Sequence, residues 1–154
     1  MSVTIETVSP RDPQAVGLLE QSHALMRKMF APEDNHFLGL DALCVPAISL
    51  YLAAYGGQAV GCVALMRAEG YGEVKSFFVD PGARGRGVGQ ALLAHLEGVA
   101  RGEGLTWLRL ETGTGLDAAA RLYRSRGFLP SGPFGAYEES PASLFFEKSL
   151  DQDR

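Results

Sequence analysis

Apolar residues recur along this chain with two periods, and the change from one to the other marks out its elements. "VTIETV" (Val3–Val8) alternates, the mark of a half-buried strand. Asp12 and Pro13 then form a helix start, a short capping carboxylate followed by a residue suited to the first turn. Val16, Leu19, His23, Met26 and Phe30 follow at helical spacing, predicting an amphipathic helix to about Phe30 that Pro32 ends. Ala31–Pro46 is irregular, with a short helix expected at Leu40–Leu43. Ser49–Tyr55 and Gln58–Ala68 read as a hairpin about the Gly56-Gly57 turn. A second turn at Glu69–Gly72 leads into a strand at Glu73–Val79, closed by Asp80-Pro81.

The helical period returns with Val88, Leu92, Leu96 and Val99 on one face, stopping at Gly102 and Gly104. Thr106–Thr112 reads as a strand. "GLDAAARLYRSRGF" reads as a helix capped by Asp117 and ended by Gly127, and Ser143–Leu150 as a final strand. Hairpins come first and strand–helix–strand units later, so the pattern predicts an α/β fold on a mixed sheet.

Composition narrows the class. The chain has 154 residues, 46% hydrophobic and 21% charged, which suits one globular domain spanning 1–154. A formal net charge of −4 argues against a dedicated nucleic-acid binder. Cys44 and Cys62 lie outside any CxxC or zinc-type spacing, so neither a disulfide scaffold nor a metal site is expected. No apolar run approaches the roughly 18 residues of a membrane span, and the N-terminal stretch lacks the apolar core of a signal peptide. A cytoplasmic protein is the expectation.

The densest chemistry is in "VDPGARGRGVGQALL" (Val79–Leu93), which carries Gly82, Gly85, Gly87 and Gly89 with Arg84 and Arg86 between a strand and a helix. A glycine-rich loop opening a helix presents bare N–H groups at the positive end of the helix dipole, a site for phosphate. It is not a Walker A loop, since no Lys-Ser/Thr follows Gly87. Nor is it a dinucleotide fingerprint: the third glycine is replaced by Gln90 in one register and by Leu92 in the other.

The run Arg84-Gly85-Arg86-Gly87-Val88-Gly89 directly after Val79-Asp80-Pro81 resembles the loop of the GNAT superfamily of N-acetyltransferases. "FFVDP", "LRLET" and "LYRSRGF" stand around it in the order and spacing of that superfamily, and the resemblance runs from Val3 to Leu150. It implies a mixed, mostly antiparallel central sheet flanked by helices, with strands splayed at an acetyl-CoA site. It implies that the backbone of Gly85, Arg86, Gly87, Val88, Gly89 and Gln90 holds the pyrophosphate. Arg84 and Arg86 would then be in reach of phosphates, and Phe77, Phe78 and Val79 would lie along the pantetheine. Tyr123 is implied as the acid that protonates the leaving thiolate, and a strand amide near Val79 as the group that polarises the thioester. Glu73 and Glu111 both occupy positions where members carry the base, and strand alternation does not choose between them. Many members carry an asparagine seven residues before the tyrosine; here Leu116 replaces that polar contact.

The resemblance thus implies an N-acetyltransferase using acetyl-CoA, without a metal, on the primary amine of a small molecule by direct attack in a ternary complex. A peptide lysine or N-terminal amine is the alternative acceptor, and a non-catalytic acyl-CoA-binding module the alternative class. A homodimer is implied by the resemblance alone. Outside the motifs, Cys62 reads as a buried free thiol, Trp107 as core and His95 as surface. His36 and the turn-rich Gly132–Phe146, with Phe134, Tyr137 and the acidic pair Glu138-Glu139, are candidates for the acceptor wall.

Overall fold

In a computed structural model that describes residues 2–151, a seven-stranded sheet runs in the order β1-β2-β3-β4-β5-β7-β6. The strands are β1 (Val3–Val8), β2 (Ile48–Tyr55), β3 (Gln58–Arg67), β4 (Tyr71–Val79), β5 (Trp107–Gly113), β6 (Leu129–Ser131) and β7 (Ser143–Ser149). The helices are α1 (Pro13–Met29), α2 (Leu40–Leu43), α3 (Val88–Gly102) and α4 (Asp117–Ser125). Every neighbouring pair is antiparallel except β4 and β5, so the sheet is mixed and mostly antiparallel, as expected.

Alternation along β2 and β3 sorts the core into two layers. Tyr51, Ala53, Val63 and Leu65 point to the face covered by α3 and α4, where Leu92, Leu93, Leu96 and Tyr123 complete one cluster. Leu50, Leu52, Cys62 and Ala64 point the other way, under Ala15, Leu18 and Leu19 of α1 and Leu43 of α2. Asp12 caps α1 as read, its carboxylate accepting from the Gln14 amide at 2.9 Å.

Some expectations shift. β4 begins at Tyr71 rather than Glu73, because Gly72 and Tyr71 still pair with Arg67 and Trp107. Asp117 does not cap α4; it is the first helical residue, and Leu116 stands at the cap without a side-chain bond. His95 is half-buried, its ring edge-on to Tyr51 at 4.8 Å. Trp107 is only half-buried.

Two irregularities shape the middle of the sheet. β4 shares three rungs with β5, from Tyr71↔Trp107 to Glu73↔Arg109, and then the strands part. Within β4 the register against β3 slips: Phe78 pairs with Cys62 and Lys75 with Ala64. Ser76 and Phe77 therefore share one partner position, a bulge, and Ser76 takes a left-handed φ of 52°.

Candidate active site

The parting of β4 and β5 opens the sheet from one face to the other. A cavity of about 120 Å³ fills the gap, walled by Val74, Lys75, Ser76 and Phe77 of β4 and by Glu111, Thr112 and Gly113 of β5. Phe30 at the end of α1 closes one side and Tyr123 of α4 the other. Glu111 and Tyr123 come from opposite faces of the sheet, and the gap lets both line one space.

Tyr123 is 5% exposed and lies against Phe77, Phe128 and Phe146, with ring centroids 5.7–6.1 Å apart. Burial, and then the nearby Glu111 carboxylate, push its phenol above the ordinary tyrosine range, so the hydroxyl keeps its proton at neutral pH. Burial also raises the Glu111 carboxyl above the ordinary glutamate range, against the pull of the Ser143 hydroxyl that donates to it at 2.8 Å. A carboxylate with raised proton affinity beside a protonated phenol is the equipment of a base and an acid.

Glu73 is placed differently. It is 4% exposed, at the fork where the strands part. Its Oε2 accepts from the Tyr137 hydroxyl at 2.5 Å and lies 3.4 Å from Lys75 Nζ. Lys75 Nζ also donates to Tyr137 Oη at 2.8 Å and to the His36 carbonyl at 3.0 Å. Glu73 is thus already engaged, whereas Glu111 faces the cavity that Tyr123 shares. Neither Lys75 nor the Tyr137–Glu73 bond was legible as a site feature. The signal for Lys75 was its spacing of two from Glu73 on one strand, which turns both side chains to one face.

Beside the gap lies a groove of about 340 Å³ at the start of α3. Phe77, Phe78, Val79, Arg84, Gly85, Gly87, Val88, Gly89 and Gln90 line it. Arg86 does not; its guanidinium sits 4.9 Å over the Tyr55 ring. Gly85 and Gly87 hold φ of 83° and 78°, the left-handed conformation that turns the loop into the helix. At Gly89 a Cβ would meet Leu122 Cδ2 at 2.6 Å, so the absent side chain lets α4 close against the start of α3. The groove and the cavity share Ser22, Met26, Phe77, Leu116 and Ala119, so the two spaces adjoin. Leu116 faces this junction, where the resemblance would have an asparagine.

A third space of about 580 Å³ lies outside the fork. Its walls come from the segment after α1, with Asp34, His36 and Phe37, and from the segment before β7, with Phe134, Tyr137 and Glu138. His36 and Tyr137 meet edge-on at 5.4 Å, so both candidates for an acceptor wall do line one cavity. Cys62 is fully buried under the bulge; its thiol donates to the Ser76 carbonyl at 3.4 Å, and burial pushes its pKa up to about 12. That thiol is no nucleophile. Among the described residues no three His, Cys, Asp or Glu side chains are grouped as metal ligands would be.

Solved structures share this architecture. A Klebsiella pneumoniae structure assigned as an acyl-CoA N-acyltransferase matches with a TM-score of 0.81 at 33% identity, over 96% of this chain and 97% of that one. The PaiA N-acetyltransferase of Thermoplasma acidophilum, solved in complex with coenzyme A, shares the fold at 15% identity and a TM-score of 0.74, over 97% and 99% of the two chains. The chain belongs to the acetyltransferase (GNAT) family, whose model matches residues 14–128. The IAA acetyltransferase of Azospirillum brasilense is 42% identical over 151 residues, covering 97% of this chain and 99% of the relative. The protein is accordingly an acyltransferase enzyme of that family.

Proposed function

We propose that the protein transfers the acetyl group of acetyl-CoA to the primary amine of a small molecule, by direct attack in a ternary complex. The observation that carries this reading is the adjoining of the two spaces. A groove at an amide-rich helix start suits the pyrophosphate and pantetheine of a co-substrate. It runs into a cavity holding a carboxylate of raised proton affinity and a protonated phenol. Family neighbours solved with coenzyme A or acetyl-CoA support that choice of co-substrate.

In this reading the amides of Gly85 to Gln90 bind the pyrophosphate, and Arg84 adds charge at the groove's edge. The cleft-facing backbone of Ser76–Val79 runs beside the pantetheine and polarises the thioester carbonyl, with Phe77 and Val79 as apolar walls. Glu111 accepts a proton from the incoming ammonium. The amine nitrogen then attacks the carbonyl carbon and releases its second proton to solvent as the adduct collapses and the C–S bond breaks, and Glu111 returns its own proton to solvent before the next turnover. Tyr123 gives its proton to the departing thiolate and regains one from solvent. Glu73 stays beside the acceptor as a fixed, hydrogen-bonded carboxylate. Most of the rate comes from positioning and from oxyanion stabilisation. The two unpaired thiols, Cys44 exposed and Cys62 buried, suit a reducing cytoplasm.

The test is thiol release from acetyl-CoA across a panel of small amines, basic peptides and IAA, with calorimetric CoA affinity alongside. Release with small amines supports the reading, and release with peptides alone moves the acceptor to a protein. CoA binding without any turnover makes the chain a binding module, and absence of CoA binding overturns the account of the groove.

A further inference from the structure

The proposed reaction leaves Tyr137 without a role, yet its hydroxyl bonds both Glu73 and Lys75 beside the acceptor space. It belongs to the stretch 132–142 between β6 and β7, which has turns but no regular structure. Phe134, 9% exposed, anchors that stretch from within, edge-on to Tyr71 at 5.7 Å and to Phe145 at 6.0 Å. The Tyr137 ring joins the same cluster, 5.0 Å from Phe134 and 5.6 Å from Phe145. The polar side-chain links from this part of the stretch to β4 are the two made by Tyr137 Oη, to Glu73 and to Lys75.

A phenol has one proton, so the bonds run in one direction: Lys75 donates to Tyr137, and Tyr137 donates to Glu73. Through the His36 carbonyl, Lys75 extends the chain to the segment after α1. One hydroxyl therefore ties together β4 and both loops that wall the outer space. His36 and Lys75 line the inner cavity as well as the outer one, so this knot is the partition between them. An acceptor whose amine reaches Glu111 must lie against that partition.

We propose that Tyr137 is a positioning residue for the acceptor: its hydroxyl latches 132–142 to β4 and fixes the wall against which the acceptor binds. The proposal rests on the acetyltransferase reading above for its kinetic part and on geometry alone for the latch. Burial, and then its bond to Glu73, hold the phenol above the ordinary tyrosine range, so the donor survives at any working pH. The acetyl-CoA groove contains none of the three residues of the knot, so its loss acts on one substrate and not on the other.

Tyr137→Phe keeps every ring contact and deletes both bonds. Glu138 and Glu139 are exposed beside it, so a Glu-specific endopeptidase reads the latch without any need for turnover. The expected result is cleavage at these positions faster by about tenfold, the scale of one charge-assisted hydrogen bond. With an amine that the wild type acetylates, the acceptor KM rises by a similar factor while acetyl-CoA KM and CoA affinity stay within about twofold. Lys75→Met, which removes the other half of the knot, shifts both readouts the same way. Unchanged cleavage overturns the latch. Faster cleavage with an unchanged acceptor KM, or a rise in both KM values together, overturns the positioning role. If the wild type acetylates no amine while Tyr137→Phe is still cleaved faster, the acceptor reading fails and the latch stands.

Discussion

Glu73 faces Arg109 across the last rung that β4 and β5 share. Two residues further along β5 stands Glu111, already beyond the fork and lining the cavity. The two glutamates are thus separated by the point at which the sheet opens. One is held by Tyr137 and Lys75 at the wall of the outer space, and the other looks into the space that Tyr123 reaches from the opposite face.

Tyr123→Phe should lower kcat by about a hundredfold, the lower end of what a positioned acid contributes. The phenyl ring keeps its packing on Phe77, Phe128 and Phe146, so CoA affinity should stay within about twofold. Thiol-release kinetics with calorimetry on the same preparation would check this. Unchanged turnover would remove the acid role.

Gly87→Ala should weaken acetyl-CoA binding. The residue holds φ of 78°, which costs a side-chain-bearing residue roughly 1–2 kcal/mol. The helix start must move to relieve it, taking the loop amides out of register. Calorimetry should read a drop of about tenfold or more in CoA affinity, with the acceptor KM little changed.

Glu111 sets a pH dependence of stability. Its carboxyl has a higher proton affinity folded than unfolded, so burial favours the protonated form. That stabilising contribution is fully present below the ordinary value of 4.5 and is lost as pH rises through the raised folded value. Relative to wild type, Glu111→Gln should therefore gain stability between about pH 4 and pH 7, where the charged form is penalised. Urea unfolding at the two pH values checks the sign, and a gain that shrinks toward pH 7 would contradict it. Turnover of the variant should fall throughout.

Glu97 carries a stability prediction away from the cleft. It is 2% exposed on α3, and its carboxylate meets Lys148 of β7 at 2.9 Å and Arg126 just past α4 at 3.0 Å. Removing the carboxylate deletes charge-assisted hydrogen bonds to cations that stay partly exposed, at a cost of about 1.5–3 kcal/mol. Glu97→Ala should lower the urea midpoint accordingly, while CoA affinity at low denaturant changes little.

Much of this site was legible because its signals are local. Gly85, Gly87 and Gly89 announce a glycine-rich turn into a helix, and "LYRSRGF" places Tyr123 a fixed distance from a helix end. The different settings of Glu73 and Glu111 were not, because they depend on where two strands separate, and periodicity along either strand is silent about pairing between them. The Tyr137–Glu73 bond spans 64 residues of sequence and starts in a segment with no periodic pattern. Glu97 reads as one more polar residue on an amphipathic helix; only the approach of Arg126 and Lys148 makes it buried. Asp117 looked like a cap because its type suits one, and the chain simply enters α4 a residue earlier.

The bulge at Ser76 and Phe77 has an effect on inheritance by exchange. One extra residue reverses the parity of β4, so Lys75 and Phe78 share the face that α1 covers, while Phe77 and Val79 turn toward α3. In the proposed reaction the first half of the strand serves the amine and the second half serves the thioester, each in its own frame. A transplanted acceptor half that ends before Ser76 would leave the co-substrate half in phase, and a deletion of Ser76 would pair Phe77 alone with Val63, removing the bulge while keeping every later side chain on its present face. Diversification of this enzyme by recombination has a natural crossover point there.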